Sequence, residues 1–193
     1  MTRDAGLEDA EELTRIITSA FSNDPIMNWA FGSNQPIQTV FREMINGCYL
    51  KNGFAHIIDG AAATLWLSSG EIPKLPFPGE MRIAFDVLRA GGFNAVRRGL
   101  AFNSAVERSH PRSDHYYLFA VGVLPSKQGQ GLGRQIISDG LALADKERAP
   151  VYLENSRAEN LPLYRSLGFR ERGNIKLPIG APPLIPMWRE KAA

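Results

Sequence analysis

Tyr116-Tyr117-Leu118-Phe119-Ala120-Val121-Gly122-Val123 runs into Leu124-Pro125, then into Gln128-Gly129-Gln130-Gly131-Leu132-Gly133, where a helical pattern begins at once. The order decides the fold: a strand, a glycine turn, a helix. Glycines let the backbone turn tightly with its N–H groups pointing inward. The first helical turn adds its own unpaired N–H groups and the positive end of the helix dipole. Together they form a site for a phosphate anion. The phosphate loop of nucleotide hydrolases requires a glycine-lysine pair, and none occurs. The dinucleotide fingerprint G-x-G-x-x-G also fails, because counting from Gly129 its last position is Arg134. The pattern that fits is Gln/Arg-x-x-Gly-x-Gly, read on Gln128, Gly131 and Gly133.

At 193 residues the chain suits one domain, residues 1–193, with a sizeable core. Its 44% hydrophobic and 22% charged residues are those of an ordinary globular protein. A net charge of +2 exerts no bulk pull toward nucleic acid, and none is expected as a partner. The lone Cys48 excludes an internal disulfide and a cysteine zinc cage. His56, His110 and His115 show no metal-ligand spacing, so no metal is expected. The apolar run Ala61–Leu67 is too short to span a bilayer, and the acidic start after Met-Thr-Arg-Asp is unlike a signal peptide. A cytoplasmic protein with no membrane association is expected.

Along the chain, Met1–Asp4 is short for a first strand. Leu13, Ile16, Ile17, Ala20 and Phe21 share one helical face, and Asp9-Ala-Glu-Glu12 reads as its capping box. Asn23-Asp24-Pro25 breaks that helix. A short piece follows over Pro25–Phe31, then a turn at Gly32–Gln35 and a helix over Pro36–Lys51. Phe54–Ile58 and Ala61–Leu67 read as a hairpin about Asp59-Gly60. Three prolines make Ser68–Gly79 a loop. Glu80–Ala90 and Phe93–Arg108 read as helices split by Gly91-Gly92. After the glycine turn, Leu132, Ile136, Ile137, Leu141, Leu143 and Ala144 form a buried stripe. Val151–Asn155 is a strand, Leu161–Leu167 a short helix, and Phe169–Lys176 and Leu184–Arg189 two further strands. The fold class is α+β, an α/β three-layer arrangement. Helices flank a mixed, mostly antiparallel sheet with one parallel crossover at its centre.

The segment Tyr152-Leu-Glu-Asn-Ser-Arg-Ala-Glu-Asn160-Leu-Pro-Leu-Tyr164-Arg-Ser-Leu-Gly168-Phe169 has Asn four residues before Tyr, then Leu-Gly-Phe. With the glycine turn, it resembles the GCN5-related N-acetyltransferase superfamily, which binds coenzyme A. Within it the likeness is closest to the puromycin N-acetyltransferases. That likeness rests on Phe119-Ala-Val-Gly-Val-x-Pro125, Gln128-Gly-x-Gly-Leu-Gly133, and Leu153-Glu-x-Ser with Asn160-Leu-Pro. It is strong from Tyr116 to Gly173 and absent from Gly79 to Arg112. The resemblance implies acetyl-CoA as co-substrate, and a central parallel strand pair splayed to receive the pantetheine arm.

Gln128, Gly129, Gln130, Gly131, Leu132, Gly133 and Arg134 are then candidates for the pyrophosphate cradle; the alternative is an ordinary glycine turn into a helix. Gly122, inside a strong strand pattern, marks a bulge or a close backbone approach. A bulge at Val121-Gly122 would free an N–H to polarise the thioester carbonyl, which puts Val121, Gly122 and Val123 on the cofactor. By resemblance Tyr164 is the acid that meets the leaving thiolate, against a core tyrosine with a satisfied hydroxyl. Asn160 holds the cofactor arm by resemblance, and also suits a helix N-cap. Glu154, in a half-buried strand, suits a general base, and equally a structural ion pair. Asp24 either holds a cationic substrate or makes an Asp-Pro turn. Trp29, Trp66 and Tyr116 are candidates for an acceptor pocket, although aromatic residues are more often core.

The leading expectation is acetyl transfer from acetyl-CoA to the primary amine of a small molecule by direct attack. A second is acetylation of a protein N-terminus or lysine. A third is a non-catalytic acyl-CoA-binding module, which would dispense with Tyr164 and Glu154.

Overall fold

The computed structural model describes residues 1–32, 34–68, 70–71 and 73–192. Among them, seven strands form one sheet in the order β1-β2-β3-β4-β5-β7-β6: Arg3–Asp4, Gly53–Ile58, Ala62–Leu67, Tyr116–Val123, Val151–Asn155, Ile185–Arg189 and, at the edge, Arg170–Glu171. Every pairing is antiparallel except that of β4 with β5. The parallel pair needs a crossover, and α6, Leu132–Lys146, supplies it.

On one face of the sheet lie α1 (Ala10–Phe21), α2 (Pro25–Phe31) and α3 (Asn34–Met44), which continues through a π-turn, Ile45–Tyr49, into α4 (Leu50–Asn52). The stripe expected on α1 is buried there: Leu13, Ile16 and Ile17 are fully enclosed against Tyr117, Ala120 and β3. Each such side chain contributes roughly 1.5–3 kcal/mol on leaving water. α6 covers the other face with Ile137, Leu141 and Ala144, against Trp66, Tyr116 and Leu118. Gly140 lets it close down, for a Cβ there would lie 2.3 Å from Cζ2 of Trp66. Trp66 cannot yield, being fully buried and stacked on Phe54. Gly140→Ala is therefore expected to cost about 1–3 kcal/mol and to lower Tm by roughly 2–10 °C, measured by thermal unfolding.

α5, Phe77–Ser109, runs through the two helices expected on either side of Gly91-Gly92, and Gly92 (φ 65°, ψ −169°) kinks it there. Three other expectations are corrected. The strand expected over Phe169–Lys176 shortens to Arg170–Glu171. Asp9 does not cap α1 with its side chain; its carboxylate is held by Arg3 and by the N–H of Gly6. This contact, which lowers the Asp9 pKa to about 2 chiefly through Arg3, ties down the two-residue β1. Asp24 does more than break a helix: with Pro25 at the first helical position, it starts α2.

Candidate functional site

β4 and β5 pair only at Tyr116 with Val151 and Tyr117 with Tyr152. Beyond Tyr117, β4 stays with β3 and β5 stays with β7, so the two strands part. A cleft of about 490 Å³ fills the gap.

The parting begins at a bulge, but not where the glycine suggested. Leu65 pairs with Ala120 and Trp66 with Leu118, leaving Phe119 as the extra residue; Gly122 pairs regularly with Ala63. The alternation of N–H direction confirms the slip. Tyr116 donates toward β5, to the carbonyl of Pro150, whereas Leu124 donates toward β3, to Ala61. Residues eight apart in a regular strand point the same way, so the phase changes once, at the bulge. Downstream of it, the N–H groups of Val121 and Val123 point into the opened gap. Gly122 serves instead the close approach that was the other reading of it. A Cβ there would meet Cδ1 of Ile17 at 2.9 Å and Cβ of Ala20 at 3.2 Å. Phe119 stacks on Tyr49 at 4.7 Å, so the residue inserted into β4 rests on the π-turn.

The glycine turn forms one wall of the cleft. Gly129 and Gly131 have φ of 76° and 78°, in the left-handed region that favours glycine. Nothing lies within 4 Å of a Cβ at either position. The N–H groups from Gly129 to Arg134 have no hydrogen-bond partner among the described residues. Six free donors in a row, ending on a 15-residue helix, fit a diphosphate by their chemistry. Gly129, Gly131, Leu132, Gly133 and Arg134 line the cleft with Gln128 and Lys127. Gln130 and Gly122 are not among the residues that line it.

The alternation of β5 places two candidate groups on opposite faces of the sheet. Leu153 packs with Tyr164 on the α6 side. Glu154 points the other way, where Tyr117 donates its hydroxyl to Oε2 at 2.6 Å. Both line the cleft. Tyr164 is 8% exposed, and its hydroxyl makes no hydrogen bond with the described residues. Burial pushes its pKa up to about 12. Asn160 begins α7, Leu161–Ser166, without using its side chain as a cap, so its amide stays open to the cleft.

Asp24 also lines the cleft, 2% exposed, but its carboxylate is occupied. Oδ1 accepts from the N–H groups of Ile26 and Met27 at 3.0 Å each, and Oδ2 accepts from the hydroxyl of Ser156. Arg157 donates to the carbonyl of Asn23 at 2.8 Å. These bonds fasten the α1–α2 corner to the end of β5. The aromatic candidates are corrected. Trp66 is buried under α6, and Tyr116 donates to Glu147 at 2.6 Å on that same side. Trp29 packs beside Gly180 on the edge of the α1-side core, away from the cleft. The aromatic residues that do line the cleft on that side are Phe21 and Phe119. His110 and His115, given no role by the sequence, stand behind Glu154: Nδ1 of His110 is 3.6 Å from its Oε1. No sequence signal joins them, because the α5–β4 loop and the neighbouring strand make the meeting.

Residues 95–171 match the model of the acetyltransferase (GNAT) domain. The match covers β4, the glycine turn, α6, β5 and α7, and it supports an acyltransferase. An uncharacterised N-acetyltransferase of Schizosaccharomyces pombe is 26% identical, over 88% of this chain and 74% of its own length. The fold is shared with a histone acetyltransferase HPA2-related protein from Corynebacterium glutamicum, with a TM-score of 0.77 and 22% identity over 100% of this chain and 97% of that one. It is shared too with the polyamine N-acetyltransferase of Drosophila melanogaster (TM-score 0.68, 14% identity, 98% and 99% covered). Arylalkylamine N-acetyltransferase 2 of Aedes aegypti has it as well (TM-score 0.65, 13% identity, 98% of each chain covered). No helix of the described residues is long and apolar enough to cross a membrane.

Proposed function

We propose that the chain, as one domain over residues 1–193, transfers an acetyl group from acetyl-CoA to the primary amine of a small molecule by direct attack. The observation that carries this reading is the gap between β4 and β5. It has free N–H donors on one wall and places Tyr164 and Glu154 toward opposite faces. A cofactor arm lying in the gap would present its carbonyl to the N–H groups of Val121 and Val123, which stabilise the developing oxyanion. The donors from Gly129 to Arg134 hold the pyrophosphate, and Asn160 the arm. An amine entering from the α1 side meets Glu154, which takes its proton. The thiolate leaves toward the α6 side, where Tyr164 meets it.

The raised pKa of Tyr164 refines its role. A phenol near 12 is protonated throughout the working range. Against a thiol near 8.5 in water, it stabilises the thiolate by a hydrogen bond more readily than by full transfer. Tyr164→Phe is therefore expected to lower kcat about 10²-fold while leaving the KM for acetyl-CoA nearly unchanged. Steady-state kinetics against pH check this, and the parent should show no tyrosine limb below pH 12.

Phe21 and Phe119 give the acceptor side an apolar wall able to bury an aromatic or aliphatic body, worth roughly 25 cal/mol per Å². Likeness to the puromycin N-acetyltransferases, read from the quoted motifs, points the same way. So do the amine-acetylating proteins that share the fold. The test is a panel of aryl and alkyl amines, puromycin-like ones included, against peptides with free N-termini and lysines, with thiol release monitored. Small amines should turn over preferentially; faster turnover of peptides would replace this reading with protein acetylation.

A further inference from the structure

Three buried polar atoms cluster around Glu154 without hydrogen-bond partners: its own Oε1 and the hydroxyls of Tyr49 and Tyr152. The group that does face Oε1 is His110, at the C-terminal end of α5, with Nδ1 at 3.6 Å. Its Nε2 lies 3.1 Å from Nε2 of His115. His115 in turn places Nδ1 2.7 Å from the carbonyl of Ser113.

A carbonyl only accepts, so Nδ1 of His115 carries a proton. Burial lowers the pKa of His115, which keeps its ring neutral and makes its Nε2 an acceptor. His110 must then hold a proton on Nε2 to make the 3.1 Å contact. Its variable proton is thereby confined to Nδ1, the nitrogen that faces Glu154. We propose that His110 is the proton outlet of Glu154, and that His115 is the positioning residue that fixes the tautomer of His110. This rests on the reading of Glu154 as the base for acyl transfer.

The protons balance as follows. Glu154 takes one proton from the attacking amine and passes it from Oε1 to Nδ1 of His110, which releases it to solvent and so restores the pair. One proton enters and one leaves per turnover, and the site never holds a net buried charge for long. Exposure sets the direction: the side chain of His110 is 21% exposed and that of Glu154 7%. The other groups facing the pair are phenols and one acid. Tyr117 donates to Oε2 of Glu154, and burial holds its pKa well above the ordinary value. Tyr49 and Tyr152 are likewise raised, by burial first and then by neighbouring charges, Glu154 among them. Asp114 acts on His115, and the uncharged Trp188 ring lies 5.6 Å from that ring. None of the phenols competes for a proton near neutral pH.

The chain has three histidines, so ¹⁵N-histidine NMR resolves each ring, with His56 in β2 as internal control. The expected result is a neutral His115 protonated on Nδ1, and a His110 that keeps its proton on Nε2 and whose Nδ1 signal moves in Glu154→Gln, because the carboxylate facing that nitrogen is gone. His56 should titrate alike in both. His110→Gln should lower kcat about tenfold, less than loss of the base itself. It should also change the acidic limb of the kcat/KM profile, which a merely structural role would leave in place. A His115 protonated on Nε2, or a His110 Nδ1 signal unchanged by Glu154→Gln, would overturn the proposal. The NMR arm needs neither substrate nor the His110 variant. It therefore reads the pair even if amine acetylation fails.

Discussion

Glu154→Gln is expected to lower kcat/KM by about 10²–10⁴-fold, the usual contribution of a positioned general base. The substitution is nearly isosteric, and the amide oxygen still accepts from Tyr117, so the fold should be preserved. What is lost is a lone pair able to take a proton. The acidic limb of the parent profile should therefore vanish in the variant, and a uniform loss that keeps the limb would assign Glu154 a positioning role. Asp24 or a water chain would then be the better base. Asp24 is handicapped, however, because three donors already occupy its carboxylate. A Tm within a few degrees of the parent would separate lost chemistry from lost structure.

What the sequence made legible follows from short-range physics. The strand, glycine turn and helix order depends on residues adjacent in the chain, and it appears as β4, the turn and α6. The kink at Gly92 is equally local. Misreadings arose where strand phase or tertiary contact decides. A glycine in a strand signals either a bulge or a close approach, and at Gly122 the pressing neighbours are Ile17 and Ala20, about a hundred residues away. The bulge falls on Phe119, an ordinary strand residue, where Tyr49 on the π-turn provides a stacking partner. One extra residue flips every later side chain to the other face. Aromatic content alone therefore could not tell Phe119, at the cleft, from Tyr116, beneath α6. Long-range packing is equally hidden: Ile26 of α2 packs with Ile175 and Leu184 and with Ala105 of α5. Asn160 shows the reverse case, since its capping role was legible but its side chain does not cap.

Gly131→Asp is expected to weaken coenzyme A binding about 10³-fold with little loss of stability. Two terms have to be separated. The first is backbone strain: at φ 78° a side chain costs about 1–2 kcal/mol, less for Asp or Asn, which tolerate this region. No atom lies within 4 Å of the added Cβ, so there is no clash with the protein, and the Tm should fall by only a few degrees. The second is charge. A carboxylate about 4 Å from one phosphate charge, at an effective dielectric near 20, costs about 4 kcal/mol, or roughly 10³-fold in affinity. Gly131→Asn has the same shape and similar strain without the charge, so it should retain most of the binding. Calorimetry of coenzyme A against parent, Asn and Asp variants measures each term, and rising salt should narrow the gap between Asp and Asn. Equal affinity in all three would mean that the pyrophosphate does not lie on the N–H groups from Gly129 to Arg134.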